Sequence, residues 1–231
     1  MRKILVINAK GGCGKSTIST NLAAFYATQG YQTALFDHDP QGSSMQWLRR
    51  RPESSPSIYG VAAYEQGSAT TRAWRLRIPA EIERVVIDTP AGLKGYELKP
   101  YLAGVNTILV PILPSSIDIN ASANFLRELL LVAKINTQNT PIYFVPNRVR
   151  FNTQAMQNLR RFLSNLGIAI TPHLRDTVNY AMAAELGTGI HELPSPKTNR
   201  DRETWRTLVS KIDHQFAELI QHDTRLFKIG N

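Results

Sequence analysis

A loop that can bind phosphate is the strongest chemical feature of this sequence. Residues 10–17 read Lys-Gly-Gly-Cys-Gly-Lys-Ser-Thr, directly after a short apolar run and directly before a segment with helical periodicity. The glycines allow backbone conformations with positive φ, so several N–H groups can converge on phosphate oxygens, and the helix N-terminus adds a partial positive charge. The Lys15 ammonium can bridge the β- and γ-phosphates, and the Ser16 hydroxyl can ligate Mg²⁺. The pattern therefore predicts binding of a nucleoside triphosphate.

Carboxylates follow two other predicted strands. Asp37 and Asp39 lie in Asp-His-Asp-Pro-Gln-Gly at residues 37–42, and Asp88 closes an apolar run before Thr-Pro-Ala-Gly. Because the carboxyl ends of parallel strands open into one crevice, these acids are expected beside the phosphate loop, with Asp88 holding Mg²⁺ through water. Only one of the two carboxylates, Asp37 or Asp39, is expected at the ligand. His38 between them is expected to be a packing residue.

The surrounding elements alternate between strands and helices. Strands too apolar to have a solvent face are predicted at 3–9, 33–37, 84–88, 107–112 and 141–146, with a shorter candidate at 169–172. Helices are predicted at 16–29, 118–135, 153–166 and 202–223, the last with an apolar stripe that packs on the core. Crossovers of this length keep strands parallel. We therefore expect an α/β fold of the P-loop NTPase type, doubly wound, with a mostly parallel sheet and helices on both faces.

Length and composition restrict the class of protein. The chain has 231 residues, of which 42% are hydrophobic, with a mean hydropathy of −0.23, enough to bury one sizeable core. One domain over 1–231 is expected, with the Pro- and Ser-rich stretch 51–57 as an exposed loop. No run approaches the roughly 18 apolar residues of a membrane span, and a secretory signal is absent, so a cytoplasmic protein is expected. A single cysteine, Cys13, excludes disulfide scaffolds, zinc ribbons and iron–sulfur ligation within one chain.

The charge balance is strongly basic. The sequence has 27 Lys and Arg against 18 Asp and Glu, a net charge of +9, and a pI near 9.8. Such an excess suggests a polyanionic partner, either nucleic acid or an anionic membrane. A surface that is basic only for solubility is the alternative.

The loop contains a second lysine, Lys10, which the plain phosphate-loop motif lacks. With Lys10 included, residues 10–17 resemble the deviant Walker A signature of the ParA/MinD family of ATPases, Lys-Gly-Gly-x-Gly-Lys-Ser/Thr-Thr. Residues 37–42 resemble the family's Asp-x-Asp-Pro-Gln switch segment, and the resemblance extends over nearly the whole chain. It implies ATP and Mg²⁺ as ligands and a homodimer that forms on ATP binding. In that dimer Lys10 reaches the nucleotide of the other subunit, as an arginine finger does.

The resemblance also implies roles for individual residues. Asp39 would orient or deprotonate the attacking water, and Asp37 would be a nearby Mg²⁺-shell or structural group. Asn147 would pair with the adenine edge, a turn-forming role being the alternative. The catalytic set is Lys10, Lys15 and Asp39, and the metal set is Ser16, Asp39 and Asp88. The nucleotide-binding set is Lys10, Gly11, Gly12, Cys13, Gly14, Lys15, Ser16, Thr17 and Asn147.

Within the family, the short N-terminus and residues 37–47 most resemble compact ParA ATPases that segregate plasmids or position a protein cargo such as carboxysomes. This resemblance implies non-specific binding of nucleoid DNA through phosphate contacts, and release when a cargo-bound partner stimulates ATP hydrolysis. Asn179 stands near the position where chromosomal members carry an arginine, so the family's DNA footprint cannot be copied over. The expected DNA-binding residues are Lys197, Arg200, Arg202 and Arg206, with Arg148, Arg150 and Arg175 as second candidates.

Two other functions compete with this interpretation. A MinD-like ATPase cycles on membranes through a C-terminal amphipathic tail, and residues 225–231, Arg-Leu-Phe-Lys-Ile-Gly-Asn, mix basic and bulky apolar groups in that way. The tail is too short for stable attachment by itself, so no stable membrane association is expected. ATP-dependent synthetases that act on small molecules share this phosphate loop, and are the third possibility.

Overall fold

The chain is built around one parallel sheet in a computed structural model that describes residues 1–65, 78–132, 137, 139–150, 153–167, 171–194 and 196–229. Within these residues the strands are β1 Arg2–Val6, β2 Thr33–Asp37, β3 Tyr59–Ala62, β4 Arg84–Asp88, β5 Thr107–Ile112 and β6 Ile142–Pro146. Their order across the sheet is β3-β2-β4-β1-β5-β6, and each neighbouring pair is parallel. The chain moves outward from β1 in both directions, which confirms the doubly wound fold.

Helices connect the strands. They are α1 Lys15–Thr28, α2 Ser43–Arg49, α3 Lys99–Leu102, α4 Ser116–Arg127, α5 Gln154–Asn165, α6 Asn179–Glu185 and α7 Asn199–Ile229. Side chains set two of the starting points, because the hydroxyl of Ser115 accepts from the Asp118 N–H and that of Thr153 accepts from the Met156 N–H. The four predicted helices are confirmed. The one predicted over 118–135 changes to a π-helical turn, Glu128–Val132, after α4, and residues 133–135 lie outside the described part.

Alternate side chains of β1 and of Ile7, which follows it, pack into two apolar cores, one on each face of the sheet. Ile4 and Val6 of β1 pack on one face of the sheet with the buried residues of α1 and α7. Leu5 and Ile7 pack on the other face with α4 and α5. A strand covered on both faces has no solvent side, which is why β1 is apolar at consecutive positions. Helices on both faces are thus confirmed.

Three details of the predicted strands are wrong or incomplete. The first strand ends at Val6 rather than residue 9, because the Asn8 side chain donates to the Pro111 carbonyl and accepts from the Lys10 N–H, which turns the chain. The edge strand β3 was not predicted, since it is short, half-exposed and contains Gly60. Of the candidate at 169–172, residues 169–170 lie outside the described part, and 171–172 are not in a strand.

The stripe on α7 anchors this helix to the sheet. Trp205, Leu208 and Ile212 are fully buried, and the Trp205 indole N–H donates to the Tyr180 hydroxyl at 3.1 Å. Arg2, at the start of β1, donates to the Ile212 carbonyl and forms an ion pair with Asp213. The predicted packing of the last helix is confirmed for the side chains described. Among the described residues no helix has the length and apolar character needed to cross a membrane.

Replacing Trp205 with alanine should lower the free energy of unfolding by about 3–5 kcal/mol, because the indole leaves a cavity that the sheet and helix cannot close. The change can be measured by urea denaturation followed by circular dichroism. Thr207→Ala, on the exposed side of the same helix, is the matched control and should change the free energy of unfolding by less than about 0.5 kcal/mol. Equal effects of the two substitutions would contradict this packing.

Candidate functional site

The phosphate loop connects β1 to α1 and is folded on itself. Gly14, at the N-cap of α1, has a φ of 98°, a left-handed conformation that favours glycine. Cys13 is buried and its thiol donates to the Lys10 carbonyl at 3.3 Å. The Lys15 ammonium donates to the same carbonyl, also at 3.3 Å, although its side chain is almost fully buried. The loop therefore holds Lys15 over its own concave side, where an anion would sit.

Asn147, at the end of β6, holds this loop from outside. Its amide N–H donates to the Cys13 carbonyl at 2.9 Å, and its carbonyl oxygen accepts from the Arg148 N–H at 2.9 Å. A Cβ on Gly14 would lie 2.1 Å from the Asn147 amide nitrogen, so only glycine fits at that position. Sequence reasoning missed this contact. The adenine contact stays a prediction.

The two carboxylates after β2 have different surroundings. Asp37 is fully buried and accepts from the N–H groups of Asp39 and Met45, both at 3.0 Å. Asp37 therefore shapes the connection from β2 to α2. Asp39 is half-buried, faces the cleft beside the phosphate loop and accepts from the Gln41 N–H at 3.0 Å. His38 packs edge-on against Tyr101, with the ring centroids 5.1 Å apart, as expected for a packing residue.

Asp88, at the end of β4, is a buried carboxylate with one oxygen available to bind a cation. The Ser44 hydroxyl donates to one of its oxygens at 2.7 Å, whereas the other oxygen has no hydrogen-bond partner within the described part of the chain. Burial raises the pKa of Asp88 to about 6, while the hydroxyls of Ser44 and nearby Ser16 lower it. A buried, unpartnered carboxylate oxygen beside a serine hydroxyl fits a hard divalent cation such as Mg²⁺. The contact of Ser44 with Asp88 was not predicted, because the residues around Ser44 form no motif that indicates it.

Two adjoining clefts open above these residues. The first, of about 220 Å³, is lined by Gly11, Gly12, Gly14, Lys15, Ser16 and Thr17 of the phosphate loop together with Asp39, Gln41, Ser43, Ala91 and Arg148. The second, of about 270 Å³, is lined by Thr17, Asn147, Arg148, Arg175, Asp176, Thr177, Tyr180, Ala181 and Ala184. Both include Thr17 and Arg148. The first has the donors for a phosphate chain, and the second, which is partly apolar, can take a nucleoside.

Lys10 does not line either cleft. Its side chain is 40% exposed, and its ammonium lies 3.9 Å from a carboxylate oxygen of Asp118 on α4. That oxygen is buried and makes no hydrogen bond within the described residues. The two lysines of the loop thus differ, since Lys15 lines the first cleft, whereas Lys10 lines neither cleft and is partly exposed.

The predicted DNA-binding residues do not form one uniform surface. Lys197, Arg200 and Arg206 are exposed, but Arg202 is half-buried and donates to the Leu193 carbonyl. Arg206 also contacts Glu203 of the preceding turn at 3.3 Å. DNA binding by each of these residues stays a prediction. Arg202 is the least accessible of the four, because it is half-buried and bound to a backbone carbonyl.

The second candidates have other contacts. Arg175 binds Asp201 through two hydrogen bonds of 2.8 and 2.7 Å, and Arg150 binds Asp176 at 3.0 Å. Burial, together with the charges of Arg160 and Arg200, lowers the pKa of His173.

Known proteins share this sequence pattern and fold. The family model described as the CobQ/CobB/MinD/ParA nucleotide binding domain matches residues 4–189. The chain is 27% identical over 191 residues to Maintenance of carboxysome distribution protein A of Halothiobacillus neapolitanus, covering 82% of this chain and 87% of that protein. Its fold is similar to apo McdA of Cyanothece, with a TM-score of 0.72 at 15% identity over 92% of this chain and 99% of that one. It is also similar to an ATP complex of a Cyanothece McdA variant, with a TM-score of 0.68 at 16% identity over 90% and 96%.

Asp88 should make the free energy of unfolding of the nucleotide-free protein fall as pH rises from about 4 to about 6. Its pKa is raised in the folded state, so over this window the unfolded chain has lost a proton that the folded chain retains. Asp88→Asn keeps the shape and removes the titration. The measurement is the difference in free energy of unfolding between wild type and Asp88→Asn, by urea denaturation at several pH values. A difference that does not change between pH 4 and 6 would contradict the raised pKa.

Proposed function

The chain belongs to the CobQ/CobB/MinD/ParA nucleotide-binding family, and on that basis we propose that it is an ATPase that dimerises on ATP and positions or segregates a cargo on nucleoid DNA. The observation that carries the proposal is the position of Lys10. Its ammonium lies outside the cleft of its own subunit and is partly exposed, and it can exchange its 3.9 Å contact with Asp118 for the nucleotide of a second subunit. Binding of the triphosphate and association of two subunits are then one event.

ATP occupies both clefts in this proposal. The phosphate chain lies over the N–H groups of the loop and contacts the Lys15 ammonium, which is held above the loop by the Lys10 carbonyl. Ser16 and Asp88 would hold Mg²⁺, which would supply positive charge to the phosphates. Asp39 lines the same cleft and orients the attacking water or accepts its proton. Lys10 of the partner adds a second cation where negative charge develops during hydrolysis.

DNA binding is supported by the charge of the protein and by its distribution. The net charge is +9, and Lys197, Arg200 and Arg206 are exposed on and just before α7. Contacts of lysine and arginine with phosphates release counterions and do not depend on base sequence. A dimer doubles the number of such contacts, so ATP controls the affinity for DNA through dimerisation.

The cargo is proposed from the relatives. The similarity to the carboxysome distribution protein of H. neapolitanus favours a protein organelle such as a carboxysome, with a plasmid or a chromosome region as the other possibilities. In either case a cargo-bound partner stimulates hydrolysis, and the dimer leaves the DNA. This cycle makes the protein cytoplasmic and nucleoid-associated.

Membrane cycling of the MinD type is the alternative supported by a specific feature, the basic and apolar tail at residues 225–231. The helix α7 runs through Ile229, so most of this tail continues a helix that begins on the core. A short amphipathic end of this kind gives weak attachment unless a dimer supplies two copies.

Lys10→Ala should prevent ATP-dependent dimerisation while leaving ATP binding by the monomer nearly unchanged, because Lys10 does not line its own cleft. Light scattering coupled to size-exclusion chromatography gives the mass with and without ATP, and calorimetry gives the affinity. Lys99→Ala removes the same charge from an exposed position on α3 and should dimerise normally. Normal dimers of Lys10→Ala with ATP would refute the role in trans.

Asp39→Ala should hydrolyse ATP about 100-fold or more slowly and accumulate as the ATP dimer, since the water is no longer oriented. This variant is the form to test on polyanions. With ATP it should sediment with duplex DNA of random sequence, and not with vesicles that contain anionic lipid. Sedimentation with vesicles alone would favour the membrane alternative, and binding to neither would count against both.

A further inference from the structure

Arg148 stands where the two clefts meet. It lines the cleft of the phosphate loop and also the adjoining nucleoside cleft, and its side chain is exposed to the space between them. Thr17, on the first turn of α1, is the other residue common to both. A nucleotide that fills both clefts must therefore pass beside Arg148.

The backbone of Arg148 is held in a conformation that arginine rarely adopts. Its φ is 50°, and within the described residues it is the one residue other than glycine with a positive φ. Both sides are fixed, because its N–H donates to the Asn147 side chain and the next N–H, of Val149, donates to the Leu174 carbonyl at 3.0 Å. Strained residues held in this way concentrate at ligand sites, where the strain sets the direction of a side chain.

The neighbouring arginines have carboxylate partners, whereas Arg148 forms no ion pair within the described part of the chain. Arg150 is bound to Asp176, and Arg175 is bound to Asp201. A guanidinium without a carboxylate, beside a loop built for phosphate, has its planar set of donors available for phosphate oxygens.

We propose that Arg148 binds the phosphate chain of the nucleotide in its own subunit, at the junction of the phosphate and nucleoside clefts. The inference rests on the proposed function, in that these clefts bind ATP. It removes Arg148 from the candidates for DNA contact and assigns it to nucleotide affinity. Because the contact is made in the monomer, ADP needs it as much as ATP does.

The test is the affinity of the full-length monomer for ADP with Mg²⁺, measured by isothermal titration calorimetry. Arg148→Ala should raise the dissociation constant about ten-fold or more, the effect of losing a hydrogen bond to a charged group. Arg148→Lys should recover part of the affinity, because it keeps the charge without the planar donors. Arg161→Ala, an exposed arginine on α5, is the control and should bind ADP like the wild type.

Arg148→Gly separates the side chain from the backbone. Glycine accepts the left-handed conformation without strain, so it should lose the same affinity as alanine if the guanidinium makes the contact. Wild-type affinity in Arg148→Gly, with a loss only in Arg148→Ala, would assign the effect to the backbone and overturn the inference. Unchanged ADP affinity in Arg148→Ala would also overturn it, and weaker DNA binding by the same variant would assign Arg148 to DNA contact instead. A wild-type protein that does not bind ADP would instead refute the proposed function.

Discussion

One hydrogen bond, from the Asn147 amide to the Cys13 carbonyl, joins the end of β6 to the loop that follows β1. The rest of the site depends on it. The amide lies where a side chain on Gly14 would have to be, so the bond and the left-handed turn of the loop require each other. The other end of the same side chain binds the Arg148 N–H and helps to hold that residue at the edge of the clefts. Two loops 134 residues apart in sequence are thus joined by a single amide group.

The two buried carboxylates at the ends of β2 and β4, Asp37 and Asp88, have different roles. Asp37 has both oxygens occupied by backbone N–H groups, so it is a structural group that fixes the path from β2 into α2. Asp88 has one oxygen bound to Ser44 and the other without a hydrogen bond in the described residues. Burying an ionised carboxylate without a partner is unfavourable, which raises its pKa and makes a divalent cation a favourable addition. The difference between the two acids comes from their contacts and not from their residue type.

The segment after Asp39 is also packed against the region that leads to α7. The Trp47 indole N–H on α2 donates to the Thr188 carbonyl at 3.2 Å, and Arg51 binds Glu192 through two hydrogen bonds. On the other side, the Ile190 N–H donates to the Asn21 side chain of α1 at 2.7 Å. Residues 188–192 therefore contact both α1 and the α2 segment, which joins these two elements beside the phosphate loop.

The sequence alone determined the features that depend on local spacing. The glycine loop, the apolar strands that end in Asp37 and Asp88, and the amphipathic last helix follow from residue types at short intervals, and the structure has each of them where the spacing predicted. The contacts between distant segments depend on how the whole chain folds: Asn147 with Cys13, Ser44 with Asp88, Arg148 between the clefts and Arg202 with Leu193. These residues are polar and carry no periodic signal. Their partners are fixed by which strand ends the parallel sheet brings together, and that is a property of the whole chain.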